Sequence, residues 1–181
     1  MCTSALRVAL HKHGIDTDGI MLQLEPGRSL HGNTGVHLTT VRGIKRTQEP
    51  VRWNHIVTDS TEFWFTGGRY EHHLHDFIVA NKPDAPDVQV ADVIGRSCYG
   101  DRLLPTVRLP DVQVGDIIAL LDTGSYQEVS SSNFNALPRP ATVLVSGRKA
   151  EIVRRRETEK DVFARDVVPR HKPSRRTGSK R

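Results

Sequence analysis

Cysteine is nearly absent from this chain of 181 residues: Cys2 and Cys98 are too few for a disulfide framework and lack the paired spacing of a zinc site. Each must be judged as a lone thiol. Long apolar runs are also missing, the longest being residues 117–121, which leaves no transmembrane helix and no secretory signal core. The chain therefore reads as soluble and cytoplasmic. A hydrophobic content of 36% is modest but sufficient for one core, and no internal repeat suggests a solenoid. Acids are absent from residues 169–181, where Arg170, Lys172, Arg175, Arg176, Lys180 and Arg181 account for more than the whole net charge of +5. The body ahead of them is close to neutral. The charge thus describes a solvated basic tail, residues 166–181, expected to be disordered, and not a nucleic-acid-binding face.

What the chain does contain begins with helical spacing over residues 5–12, with Leu6, Ala9 and Leu10 on one face and Gly14 as a stop signal. The apolar run Ile20-Met21-Leu22-Gln23-Leu24 follows and ends at Glu25-Pro26-Gly27-Arg28. Such a run reads as a buried parallel strand, and in α/β barrels the loop after a late strand commonly binds phosphate. Helix and strand together look like the last unit of a barrel whose sister units are not in this sequence. An isolated strand is unstable, so its neighbours are expected on another polypeptide, or the chain is a fragment.

Beyond this loop the period changes to two. Val36, Leu38 and Thr40 alternate with polar neighbours, and strand-like segments follow at residues 51–58, 76–80, 88–94 and 117–121. Residues 141–145 and 151–155 flank Ser146-Gly147-Arg148 as a hairpin flanks its turn, and residues 157–164 suggest a closing helix. The fold class is mainly β, a barrel or sandwich preceded by a barrel remnant.

Several ordered segments carry a family resemblance. They are Glu25-Pro26-Gly27-Arg28-Ser29, Gly32-Asn33-Thr34-Gly35, Gly95-Arg96-Ser97-Cys98 with Asp101, Gly115-Asp116, Asp122-Thr123-Gly124-Ser125-Tyr126, Ser132-Asn133-Phe134-Asn135 and Arg139-Pro140. This set resembles the C-terminal half of the fold-III pyridoxal-phosphate decarboxylases, which act on diaminopimelate, ornithine or arginine. The phrase after Tyr126 and the Arg155-Arg156-Glu157-Thr158 stretch are most similar to the diaminopimelate branch. The resemblance implies an (β/α)8 remnant at residues 1–30, a C-terminal β-barrel domain at residues 31–165, and the tail. It also implies head-to-tail dimers with active sites between subunits. The family's Schiff-base lysine lies on an early strand of the barrel, so Lys12, Lys45, Lys82 and Lys149 do not inherit that role; Lys82 reads as a turn residue.

By this resemblance Glu25, Gly27, Arg28 and Tyr126 belong to the cofactor site. Gly27 lets backbone N–H groups approach a phosphate, and Arg28 suits either phosphate or a substrate carboxylate. Tyr126 can donate to the phosphate while its ring packs on the cofactor. Cys98 resembles the interface cysteine that enters the partner's active site as an acid, a role its accessible pKa allows. Family members place an acid directly after this cysteine to engage a distal ammonium; here Tyr99 stands in its place, leaving Asp101 as the substitute. Arg69 and Tyr70 fall where the family builds its substrate pocket. His72, His73 and His75 could be weighed as metal ligands, but nothing completes a shell and no metal is expected.

These readings point to the β-domain subunit of a split decarboxylase of diaminopimelate-decarboxylase type. It would share pyridoxal phosphate with a barrel-bearing partner and act on a small amino acid. The alternatives are a non-catalytic domain that binds and regulates a complete homologue, or a truncated relic.

Overall fold

Strand β1 (His37–Thr47) is long enough to pair on both sides, with β2 (Trp53–Thr58) along its second half and β6 (Ile117–Leu120) along its first. With β3 (Phe77–Val79), β4 (Gln89–Ile94) and β5 (Arg102–Leu109), the order is β3-β6-β1-β2-β4-β5, a nearly closed barrel-like sheet. Only the β2–β4 pairing is parallel among these ladders. The protein is described here from a computed structural model covering residues 2–64 and 74–169; Arg69, Tyr70, His72, His73 and the basic tail from Arg170 onward lie outside the described residues.

Alternation drives this closure. Val41, Ile56, Val79, Ala91, Val93, Ile118 and Leu120 turn inward to meet Trp64, Leu103, Leu104, Leu109 and Val112. A register shift between Val41 and Gly43 bends β1 so that each half faces a different neighbour. The Gly115-Asp116 pair is structural: Gly115 turns at φ +99°, and the Asp116 carboxylate receives Lys82 Nζ, Asn81 Nδ2 and the Gln113 N–H, each at 2.7 Å. Lys82 is the turn residue its sequence context suggests, with Asp116 as its anchor.

The sequence pattern does not announce β5. Two successive leucines, Leu103 and Leu104, are buried, and Pro105 and Thr106 then stand together opposite Asp92. This bulge breaks the alternation. Thr106 takes a left-handed φ of 51°, its N–H held by the buried Asp92 carboxylate at 2.8 Å, while Arg102 pairs with the other oxygen at 3.2 Å.

In the amino-terminal part, helix α1 (Cys2–Lys12) forms and ends at Gly14, where the N–H groups of Gly14 and Ile15 return to the carbonyls of His11 and Leu10. The strand expected over residues 20–24 does not form: these residues are irregular, with Met21 and Leu24 exposed. The reason is the one that made the strand suspect. Among the described residues no strand pairs with this run to satisfy its backbone groups. At the other end, β7 (Thr142–Ser146) and β8 (Lys149–Arg154) form the expected hairpin as a separate two-stranded sheet, and the closing helix shrinks to Glu159–Val162. Glu157 ties this region together by accepting from Asn133 Nδ2 at 2.6 Å and from the Arg139 N–H at 2.8 Å.

His37 sits half-buried at the start of β1, 2.6 Å from Ser60 Oγ. Burial lowers its pKa from 6.5 to about 4, with Asp59 opposing that shift and His75 adding to it. Below pH 6.5 the unfolded chain binds a proton here that the folded chain refuses until about pH 4, so stability is withdrawn as pH falls through that window. The loss is expected to be of order 1–3 kcal/mol. Asp116, which hydrogen bonds hold low against its burial, gives up its stabilisation only at lower pH. Urea titrations at several pH values should show the upper phase vanish in His37→Gln and survive in Asp116→Asn; retention in both would rule out this assignment.

Candidate functional site

Two backbone loops meet edge to edge at one end of the barrel. Gly124 donates its N–H to the Gly32 carbonyl at 2.8 Å, and Thr123 donates to that of Gly35 at 3.0 Å. The contact is so close that a Cβ on Gly35 would overlap the backbone of Thr123 and Gly124. The glycines of two motifs far apart in sequence are therefore one joint. It delivers Tyr126 to Gly27, where the phenol oxygen occupies the space a side chain at Gly27 would fill. Arg28 Cζ lies 5.3 Å from the centre of the Tyr126 ring. Tyr126 holds a left-handed φ of 68°, an uncommon conformation for a residue with a side chain. Beside it, Ser125 is buried with its Oγ unpaired. Phenol, hydroxyl and guanidinium beside a bare backbone form a donor-rich set that fits a phosphate group.

Glu25, two residues before Gly27, is exposed, and its carboxylate accepts from Gln23 Nε2 at 3.2 Å.

The second expected group is built on the loop between β4 and β5. Asp101, at 5% exposure, turns its carboxylate inward, accepting from the Glu62 N–H at 2.7 Å and the Ser97 N–H at 2.9 Å. Gly95 must lack a side chain because that carboxylate fills its place. Asp101 thus braces the loop, both of its carboxylate oxygens being engaged by backbone donors. Cys98 is exposed, with Asn135 Nδ2 donating to its Sγ at 3.4 Å. Tyr99 meets Phe134 edge-on at 6.1 Å, and Phe134 stacks on Phe63 at 4.1 Å. Phe63, Phe134 and Asn135 were not singled out by sequence reasoning as site residues, although Phe134 and Asn135 belong to a motif. Asp101→Ala is expected to cost about 1–3 kcal/mol by leaving two backbone donors unpaired. Amide exchange should rise first at Ser97 and Glu62; unchanged protection there would refute the bracing role.

His75 was considered only as a metal ligand. It is buried, its Nδ1 lying 2.8 Å from the Leu121 carbonyl and its Nε2 3.2 Å from Gln127 Nε2. Among the described residues, no group of three or more His, Cys, Asp or Glu side chains could hold a metal, and no helix is long and apolar enough to cross a membrane.

The barrel-like sheet and its ordered motifs define a class, and the matching family model is that of the pyridoxal-dependent decarboxylase C-terminal sheet domain, over residues 10–124. The chain belongs to this family. Its named relatives are diaminopimelate decarboxylases: that of Archaeoglobus fulgidus is 38% identical over 154 residues, covering 84% of this chain and 36% of the relative. That of Bacillus subtilis is 31% identical over 164 residues, covering 90% and 36%. The solved diaminopimelate decarboxylase of M. jannaschii superposes with a TM-score of 0.80 at 31% identity, over 93% of this chain and 38% of that one. The chain therefore spans little more than a third of the length of the relatives it matches.

Proposed function

We propose that this chain supplies the sheet-domain half of a pyridoxal-phosphate-dependent decarboxylase site of diaminopimelate-decarboxylase type. A barrel on another polypeptide would carry the lysine and most of the cofactor pocket. The observation that carries this reading is the convergence of Gly27, Arg28 and Tyr126. Exposed Leu6, Val8, Met21 and Leu24 along the amino-terminal segment add support, since a barrel neighbour would cover them.

In this mechanism the bound cofactor supplies an electron sink for the charge left when carbon dioxide departs. The protein's own work is more limited. Gly27 leaves room for the Tyr126 phenol, which would donate a hydrogen bond to the cofactor phosphate, and Arg28 would balance the charge of that phosphate or of the substrate carboxylate. Cys98 holds a proton at Sγ at the partner's site and delivers it to the carbon that has lost its carboxylate, with Asn135 orienting the sulfur. Tyr99 and Phe134 present an aromatic wall beside that sulfur. No charge on Tyr99 can hold a distal ammonium, so selectivity among amino acids with and without one should differ from that of an enzyme with an acid there.

The test is reconstitution. Full-length chain and a barrel-bearing decarboxylase subunit from the same source should each be silent in carbon dioxide release from diaminopimelate, lysine, ornithine and arginine, and active when mixed. A stable complex that only alters the rate of an already active homologue would replace this reading with a regulatory one, and absence of any complex would end both.

A further inference from the structure

We propose that His75 is the positioning residue of this site, a single imidazole that fixes Tyr126 by closing the loop that carries it. This rests on the reading of Tyr126 as a site residue. The loop leaves β6 at Leu121 and re-enters regular structure at the one-turn helix Gln127–Ser130. His75 touches both ends. A carbonyl can only accept, so Nδ1 carries a proton and donates to Leu121 O at 2.8 Å. In the neutral ring Nε2 is then an acceptor, and Gln127 Nε2 donates to it at 3.2 Å. All of this is dry: His75 is 6% exposed and Gln127 3%.

The residue preceding Gln127 is Tyr126, whose left-handed backbone needs a reason to persist. The helical turn fixes it from one side, with Ser130 donating its N–H to the Tyr126 carbonyl at 2.9 Å. From the other, Thr123 and Gly124 are tied to Gly35 and Gly32. Those bonds place the first half of the loop but leave the Gly124–Gln127 segment to be set by where Gln127 lies. The imidazole holds the leading end of the helical turn, while the Ser132 N–H to the Phe63 carbonyl at 2.8 Å and the Glu128–Arg154 ion pair at 2.7 Å hold the rest of the turn. The rigid imidazole ring spans the Leu121 carbonyl and the Gln127 amide, so the half-exposed Tyr126 projects over Arg28 with its phenol against Gly27. His75 is itself anchored beside Asp76, whose carbonyl accepts the Leu121 N–H at 2.7 Å.

The experiment measures geometry without turnover, on the full-length labelled chain in solution. The readout is the nuclear Overhauser cross-peak between the Tyr126 ring and the Gly27 α-protons, with a β1–β6 cross-peak between Leu38 and Ala119 as the control for fold. Both His75→Ala and Gln127→Ala should lose the first and keep the second. Gln127→Glu should retain it, because a carboxylate accepts from a protonated Nε2 and preserves the bridge. If an alanine variant fails to fold, the other and Gln127→Glu decide. Survival of the Tyr126–Gly27 cross-peak in a folded alanine variant would overturn the proposal, as would its loss in Gln127→Glu. Because no partner or cofactor is involved, failure of the decarboxylase reading would leave this result standing, and that reading is tested separately by reconstitution.

Discussion

Cys98→Ala is expected to lower kcat of the reconstituted enzyme by roughly 10²–10⁴-fold, the usual worth of a positioned general acid, with little change in cofactor affinity. The structure explains why the effect should be chemical. Cys98 is exposed and contributes nothing to the core, so truncation leaves the loop, braced by Asp101, in place. Cys98→Ser keeps size and a proton but raises the pKa far above neutrality, and should recover little. Arg28→Ala should behave differently, weakening cofactor or substrate binding along with any loss of rate, because its guanidinium acts in the ground state. The pair is measured as kcat and KM against cofactor titration, on assembled complex. Small, equal effects from both variants would remove the catalytic role of this chain.

The legible part of this fold lies where local pattern and tertiary demand agree. β1, β2, β3, β4 and β6 carry alternating or short apolar runs bounded by turn residues, and a closed sheet needs that pattern of each. β5 was illegible because its bulge at Pro105 and Thr106 is held by Asp92, a carboxylate from the neighbouring strand that no local reading can supply. The run over residues 20–24 failed in the opposite way: its composition suits a strand, but strandedness belongs to the ladder, and no strand among the described residues pairs with it. Among site residues, motifs marked Gly27, Arg28, Tyr126 and Cys98 but could not separate members that face a ligand from those that build the frame. Gly95 and Asp101 stand beside Cys98 in one motif, yet they fill each other's space beneath the loop. His75 gave no local signal beyond a histidine-rich neighbourhood, since its partners are 46 and 52 residues away.

A large stability loss from a single methyl group is expected at Gly124. A Cβ there would run into the carbonyl of His31 and approach the Gly32 carbonyl and the Gly35 nitrogen to 2.9 Å each, all of them backbone atoms. None can rotate away as a side chain could. Relief requires the two loops to separate, which breaks the Gly124–Gly32 and Thr123–Gly35 hydrogen bonds together and withdraws Tyr126 from Gly27. Overpacking alone costs about 1–3 kcal/mol, and two lost hydrogen bonds add roughly 1 kcal/mol each. At about 2–4 °C per kcal/mol for a chain of this size, Gly124→Ala should lower Tm by about 6–20 °C. Two comparisons isolate the cause. At Gly43 a new Cβ would meet only Val57, at an ordinary 3.8 Å, so Gly43→Ala should be nearly neutral. At Gly27 it would meet the far end of a movable side chain, so Gly27→Ala should keep most of the stability while displacing the phenol and weakening cofactor binding in the assembled enzyme. Thermal melts of the three variants in parallel decide the matter. A Gly124→Ala melt as mild as that of Gly43→Ala would mean the loops are not joined backbone to backbone, and the route by which Tyr126 reaches Gly27 would have to be drawn again.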